Sequence, residues 1–162
     1  MAGRARCLEA GASKPKRRCT RWYGKRLRRR PTKRTTPFDC AASTAPQALE
    51  LALLTRPGPF GPRTPELGEY FGYFDGDRLV AMAGERMAAE SLREISGVCT
   101  HPDHRGRGHA RKLMLKLVRR QLQRGETPFL HVMRDNASAR ELYQRMGFGI
   151  YRESVVRVIA PD

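Results

Sequence analysis

The chain has 162 residues, 32 Lys/Arg against 16 Asp/Glu, a formal net charge of +16 and a pI near 10.8. That length holds one ordinary domain with a core, and no run of 18 apolar residues is present to cross a bilayer as a helix. The charge is uneven: residues 1–40 hold 14 of the basic residues and 2 of the acidic ones, so the basic excess belongs to this segment and the remainder is only mildly basic.

Residues 1–45 mix Pro, Gly, Ser, Thr and Arg without hydrophobic periodicity and read as a basic disordered extension. No apolar stretch follows the basic residues as a secretory signal would require, and Arg26 to Arg30 is too charge-dense for an amphipathic transit helix. Cys7, Cys19 and Cys40 lie in this segment and Cys99 beyond it, with no C-x-x-C. Neither a disulfide framework nor a zinc site is expected, and the expected compartment is reducing cytoplasm. His101, His104, His109 and His131 form no cluster at ligand spacing, so no metal is expected.

Residues 46–162 carry the periodic elements. Pro46 to Thr55 predicts a short helix, and Arg56 to Pro65, with four prolines and two glycines, a loop. This loop, with Phe60 in its middle, is either a cover for a binding site or a plain connector. Tyr70 to Phe74 and Leu79 to Met87 flank Asp75-Gly76-Asp77, a hairpin signal. Leu92 to Thr100 alternates as a strand. Ala110, Leu113, Met114, Leu117, Val118 and Leu122 then form the apolar stripe of a helix over Gly108 to Arg124, with Gly125 as its stop. A strand over Pro128 to Met133, a helix over Asn136 to Met146 and a strand over Ile150 to Ile159 complete a mixed α/β domain whose strands are mostly antiparallel.

Two stretches carry chemistry. His104-Arg105-Gly106-Arg107-Gly108-His109-Ala110 joins a strand to a helix start. Glycines let backbone N–H groups converge on an anion there, and the helix dipole favours negative charge. The second is Asn136 to Phe148, where Asn136 is a good N-cap, Gly147 a stop, and Tyr143 lies two turns from Asn136 on the same side.

In this order and spacing the pair resembles motifs A and B of the GNAT superfamily of acyl-CoA-dependent N-acetyltransferases. Arg105, Gly108 and Ala110 match the first motif, and N-x-x-A-x-x-x-Y-x-x-x-G-F over Asn136 to Phe148 matches the second. The resemblance spans about Pro46 to Ile159. It implies a GNAT-like sheet flanked by helices and transfer of an acetyl group from acetyl-CoA to a small-molecule or protein amine by direct attack. It also implies a cofactor site at Arg105, Gly106, Arg107, Gly108, His109, Ala110 and Arg111, with Val98, Cys99 and Thr100 along the pantetheine arm and Asn136 and Tyr143 from the second motif. Tyr143 would protonate the leaving thiolate, a phenol of pKa about 10 staying protonated at neutral pH; the alternative is a packed tyrosine that merely fixes the cofactor. The base is Glu94, on the pleat parity of Ser96 and Val98, or Glu85 on the neighbouring strand, with Glu94 favoured.

GNAT domains usually open with a strand and a helix for which residues 1–45 show no pattern. These residues are therefore expected to be an extension foreign to the domain, leaving Tyr70 to Phe74 as a bare sheet edge. A second function is a nucleic-acid-binding protein on an inactive GNAT-like scaffold, its basic arm contacting polyanions without sequence preference, with Trp22 and Tyr23 available to stack.

Overall fold

A computed structural model describes residues 17–24, 38–39 and 44–156. The elements are β1 (Arg17–Gly24), β2 (Phe38–Asp39), α1 (Ala45–Thr55), β3 (Tyr70–Asp75), β4 (Arg78–Ala89), β5 (Leu92–Thr100), α2 (His109–Gln123), β6 (Thr127–Met133), α3 (Ala137–Arg145) and β7 (Phe148–Val156). The described strands form one sheet in the order β2-β3-β4-β5-β6-β1-β7. Every pairing in it is antiparallel except β5 with β6, which the α2 crossover makes parallel.

Two expectations for residues 1–45 are corrected. Arg17–Gly24 is a strand inserted between β6 and β7, antiparallel to both, and Phe38–Asp39 pairs with Gly72 and Phe71 of β3. The edge expected to be bare is thus covered at those two residues. Thr20, Trp22 and Tyr23 are good strand formers, a signal that the surrounding arginines hide from a compositional reading. The rest of the expected disordered extension, residues 1–16, 25–37 and 40–43, lies outside the described residues, as do residues 157–162.

The sheet carries α2 and α3 on one face and α1 on the other. Leu113, Met114, Leu117 and Val118 of α2 pack with Phe71, Val80, Ala83, Ile95, Leu130, Val132, Tyr143 and Met146, all buried. Ala48, Leu51 and Ala52 of α1 pack on Leu79, Met82 and Cys99. The α2 stripe ends differently from the expectation: Leu122 is exposed, and Gln121 is buried in its place, donating from Nε2 to Glu85 Oε1 at 2.9 Å. Gln121 lies two i+4 steps from Leu113 and Leu122 the same two steps from Met114, so helix phase does not choose between them; the buried Glu85 carboxylate that Gln121 meets does. Gly125 stops the helix as expected, at φ +75°, with Glu126 N–H donating to Gln121 O and its own N–H to Leu122 O.

Candidate functional site

Between β5 and β6 the ladder runs only from Leu92 with Thr127 to Ile95 with Leu130; beyond these residues the strands part. Gly97 sits at the start of the gap with φ +63°, a conformation that side chains rarely adopt. A Cβ there would come within 3.2 Å of Tyr70 Cε1. The extra residue shifts the β4–β5 register between Ser96 and Cys99. In consequence Val98 packs with Ile95 on the α2 face and Cys99 turns toward α1. This corrects the parity expected from simple alternation: Glu94 and Val98 are on opposite faces, because the bulge moves the phase by one residue.

A cavity of about 830 Å³ opens in the gap. Val98, Cys99, Thr100, Arg105, Gly106, Gly108, His109, Ala110, Arg111, Asn136 and Tyr143 all line it. Of the sequence-predicted cofactor residues only Arg107 does not; its guanidinium lies 3.4 Å from the Asp103 carbonyl. Thr55, Arg56 and Pro57, at the end of α1, add a wall that no local pattern announced. Arg56 holds a left-handed backbone at φ 50°, with its N–H donating to Ala52 O at 2.7 Å.

The floor of the cavity is the start of α2. Gly106 and Gly108 take φ +75° and +76°, and Gly108 is the N-cap without any capping side chain. The N–H groups of His109, Ala110 and Arg111 therefore have no acceptor within the helix. Arg105 differs, its N–H donating to Pro102 O at 3.2 Å. The first turn carries Arg111 and Lys112 and no acid, the wrong sign for the helix dipole unless an anion is bound. Arg56, Arg105, Arg111 and Arg145 also face the cavity, and among the described residues no carboxylate does. His109 stacks at 4.7 Å on Tyr73, and its buried Nδ1 has no hydrogen-bond partner. Burial, then Lys112, Arg107 and His104, hold its pKa below the ordinary value. His104 Nε2 stands 3.0 Å from Asp75 Oδ2, pinning the loop to the β3–β4 turn. These groups fit a diphosphate-bearing cofactor.

Tyr143 is 7% exposed on the inner side of α3. Burial and then the Cys99 thiol push its pKa up to about 12, so the phenol keeps its proton. Asn136 caps α3, with Oδ1 accepting from Ala139 N–H at 3.2 Å. The cap uses that oxygen and leaves the amide NH₂ as the group for a ligand.

The two candidate bases sit apart. Glu85 is 2% exposed and accepts from Gln121 Nε2, Glu69 N–H and Arg124. It lies at the C-terminal end of α2, about 20 Å of helix away from the cavity floor. Glu94 is 1% exposed and holds Arg86 in a two-pronged bond, Nε to Oε2 at 3.0 Å and Nη2 to Oε1 at 2.7 Å. Its Oε1 also faces His131 Nδ1 at 2.8 Å. Burial pushes the Glu94 carboxyl up, but the bonds from His131 and Arg86 outweigh it and the net pKa is lowered. Sequence reasoning set His131 aside; its alternation against Leu130 and Val132 was the available signal that it faces away from the α2 core.

The family model described as FR47-like protein matches residues 70–158. A GNAT-family protein from Novosphingobium aromaticivorans is similar at 36% identity over 88% of this chain and 63% of its own, with a TM-score of 0.80. The ribosomal-protein-S18-alanine N-acetyltransferase of Escherichia coli is similar at 22% identity over 70% and 77%, with a TM-score of 0.62. A Mycobacterium tuberculosis protein solved in complex with CoA is similar at 16% identity over 71% and 72%, with a TM-score of 0.59. The last two, at that identity, show the fold. The chain spans less than two thirds of the length of the first two structures it matches. No curated protein matches it.

Proposed function

The chain belongs to the GNAT family of acetyltransferases as an FR47-like member, and on that footing we propose that it transfers an acetyl group from acetyl-CoA to an amine. The observation that carries the reading is the α2 N-terminus: two left-handed glycines, uncapped N–H groups and a ring of arginines, opening into the cavity that also holds Cys99 and Tyr143. Acetyl-CoA, when bound, supplies an acetyl thioester that the acceptor amine attacks directly.

Each residue has a task. The N–H groups from Gly106 to Arg111 hold the pyrophosphate, with Arg105 and Arg111 adding charge around it. Val98, Cys99 and Thr100 line the arm where β5 has lost its neighbour, so the backbone of the gap is available to pair with an amide-bearing chain. The Asn136 amide meets the same arm. Tyr143 gives its proton to the departing thiolate; removal of such an acid costs about 10²-fold or more in rate. Glu94 takes part in accepting the amine proton. A lysine amine, with a pKa of about 10.4, is only about 0.1% neutral near pH 7.4 and needs that help more than an α-amine near 8.

The family match does not favour the nucleic-acid-binding alternative. The test is the thermal midpoint with and without acetyl-CoA, followed by release of free CoA thiol in the presence of amines. A site filled at about a hundredfold over Kd stabilises by roughly 2.7 kcal/mol and raises the midpoint by several degrees. A cooperative melt that acetyl-CoA leaves unmoved would refute the cofactor assignment.

A further inference from the structure

Resting on the acetyl-transfer reading, we propose that Cys99 is a redox modification site, at which peroxide joins the chain to CoA through a mixed disulfide and so closes the cofactor site. Three observations carry this. The first is the place of the thiol. Cys99 is a reduced cysteine, 7% exposed, and it lines the cavity between β5 and β6. Its other neighbours are the buried Leu51 and Ala52 of α1, so what exposure it has opens into that cavity.

The second is the group across from it. Tyr143, also 7% exposed, lines the same cavity from α3, and its phenol has no hydrogen-bond partner among the described residues. The phenol feels the Cys99 thiol, which adds to burial in holding its proton in place. Buried phenols ordinarily find a partner, so the space that Tyr143 and Cys99 share is left for a polar atom of a ligand. On the acetyl-transfer reading that atom is the CoA sulfur.

The third is charge and reach. Arg56, Arg105, Arg111 and Arg145 line the cavity, and among the described residues no carboxylate does. Surroundings of this sign favour a thiolate, the form that peroxide oxidises. The uncapped start of α2 anchors a diphosphate at the other end of the same cavity. A thiol tethered to that diphosphate meets Cys99 within one complex rather than by free collision.

Both steps balance. Peroxide takes two electrons from the Cys99 sulfur, which becomes a sulfenic acid as the peroxide becomes water and the acid hydroxyl. The sulfenic sulfur is then attacked by the CoA thiol: a sulfur–sulfur bond forms, the sulfur–oxygen bond breaks, and the hydroxide leaves with the thiol proton as water. Acetyl-CoA, whose sulfur is already acylated, has no thiol to give and fills the site without joining to it. A thiol reductant reverses the adduct by exchange.

The experiment treats the full chain with hydrogen peroxide and CoA, removes the excess, then alkylates, digests and maps each cysteine by mass spectrometry. Parallel samples replace CoA with acetyl-CoA or with glutathione. The expected result is a CoA disulfide at Cys99 that dithiothreitol removes, none with acetyl-CoA, and about tenfold less adduct with glutathione, which lacks the diphosphate anchor. Cys7, Cys19 and Cys40 are internal controls and should show no such preference for CoA. The adduct should also abolish the acetyl-CoA thermal shift, and dithiothreitol should restore it. Cys99→Ser should show the same acetyl-CoA shift before and after the treatment; if that variant does not fold, the wild-type map decides. An unmodified Cys99, equal labelling by glutathione, or a Cys99→Ser shift that the treatment still abolishes would overturn the proposal. Where acetyl-CoA shifts the untreated chain, those outcomes defeat the disulfide alone. Where neither acetyl-CoA nor CoA moves the midpoint, the cofactor reading itself fails and the proposal falls with it.

Discussion

Gly108 separates anion binding from folding. At φ +76° an alanine incurs the left-handed penalty, about 1–2 kcal/mol. Its Cβ would meet nothing within 4 Å, so the cost is that of the backbone alone. Gly108→Ala should therefore lower the midpoint by several degrees yet keep most of the acetyl-CoA shift. Gly108→Glu carries the same backbone cost, but its carboxylate sits at an uncapped helix N-terminus and regains about 0.3–1 kcal/mol. Toward a phosphate about 4 Å away the same carboxylate is repelled by about 1 kcal/mol at the dielectric of water and about 4 kcal/mol at an effective value near 20. Affinity should then fall by about fivefold to a thousandfold for each phosphate charge it meets. Melting each variant with and without acetyl-CoA separates the two effects. Gly108→Glu should be the more stable apoprotein and the poorer binder. An acetyl-CoA shift in Gly108→Glu equal to the wild type, or equally lost in Gly108→Ala, would refute the placing of the diphosphate.

Tyr143→Phe should leave the acetyl-CoA shift intact and lower kcat by about 10²-fold; an unchanged kcat would remove it from catalysis. With the phenol near 12, the wild-type rate should show no loss from this group up to pH 10. Glu85→Ala strands the buried Gln121 amide, a cost of about 1–3 kcal/mol, so urea should unfold it earlier, while acetyl transfer measured under folded conditions stays at the wild-type rate. Glu69, held by hydrogen bonds from Arg120, and Glu94 and Glu126, whose arginine and histidine partners outweigh burial, all have folded pKa values below 4.5. Their contribution to stability is present above that value and lost as pH falls through the folded ones. Urea midpoints that rise on acidification below pH 4.5 would contradict this.

Local chemistry made much of the domain legible from sequence. The α2 stripe from Leu113 to Val118, the Asp75-Gly76 turn, the Gly125 stop and the Asn136 cap are each set by a few neighbouring residues, and all stand where their pattern places them. The glycines of the loop before α2 were readable for the same reason, since a left-handed backbone before a helix favours residues without a Cβ.

Tertiary structure decided the rest. The strand gap arises because the β5–β6 ladder stops after Ile95 and the chain bulges at Gly97, which no alternation records. Only packing chose Gln121 over Leu122, because Glu85 of β4 offers an acceptor on the face that α2 covers. β1 finds its place between β6 and β7, two strands more than a hundred residues away in the chain, and the +12 charge of residues 1–40 gave no hint of it. The pairing of His131 with Glu94 joins residues 37 positions apart on parallel strands. Sequence periodicity reports which face a side chain takes; which distant side chain it meets there is settled by register, and register is a property of the closed sheet.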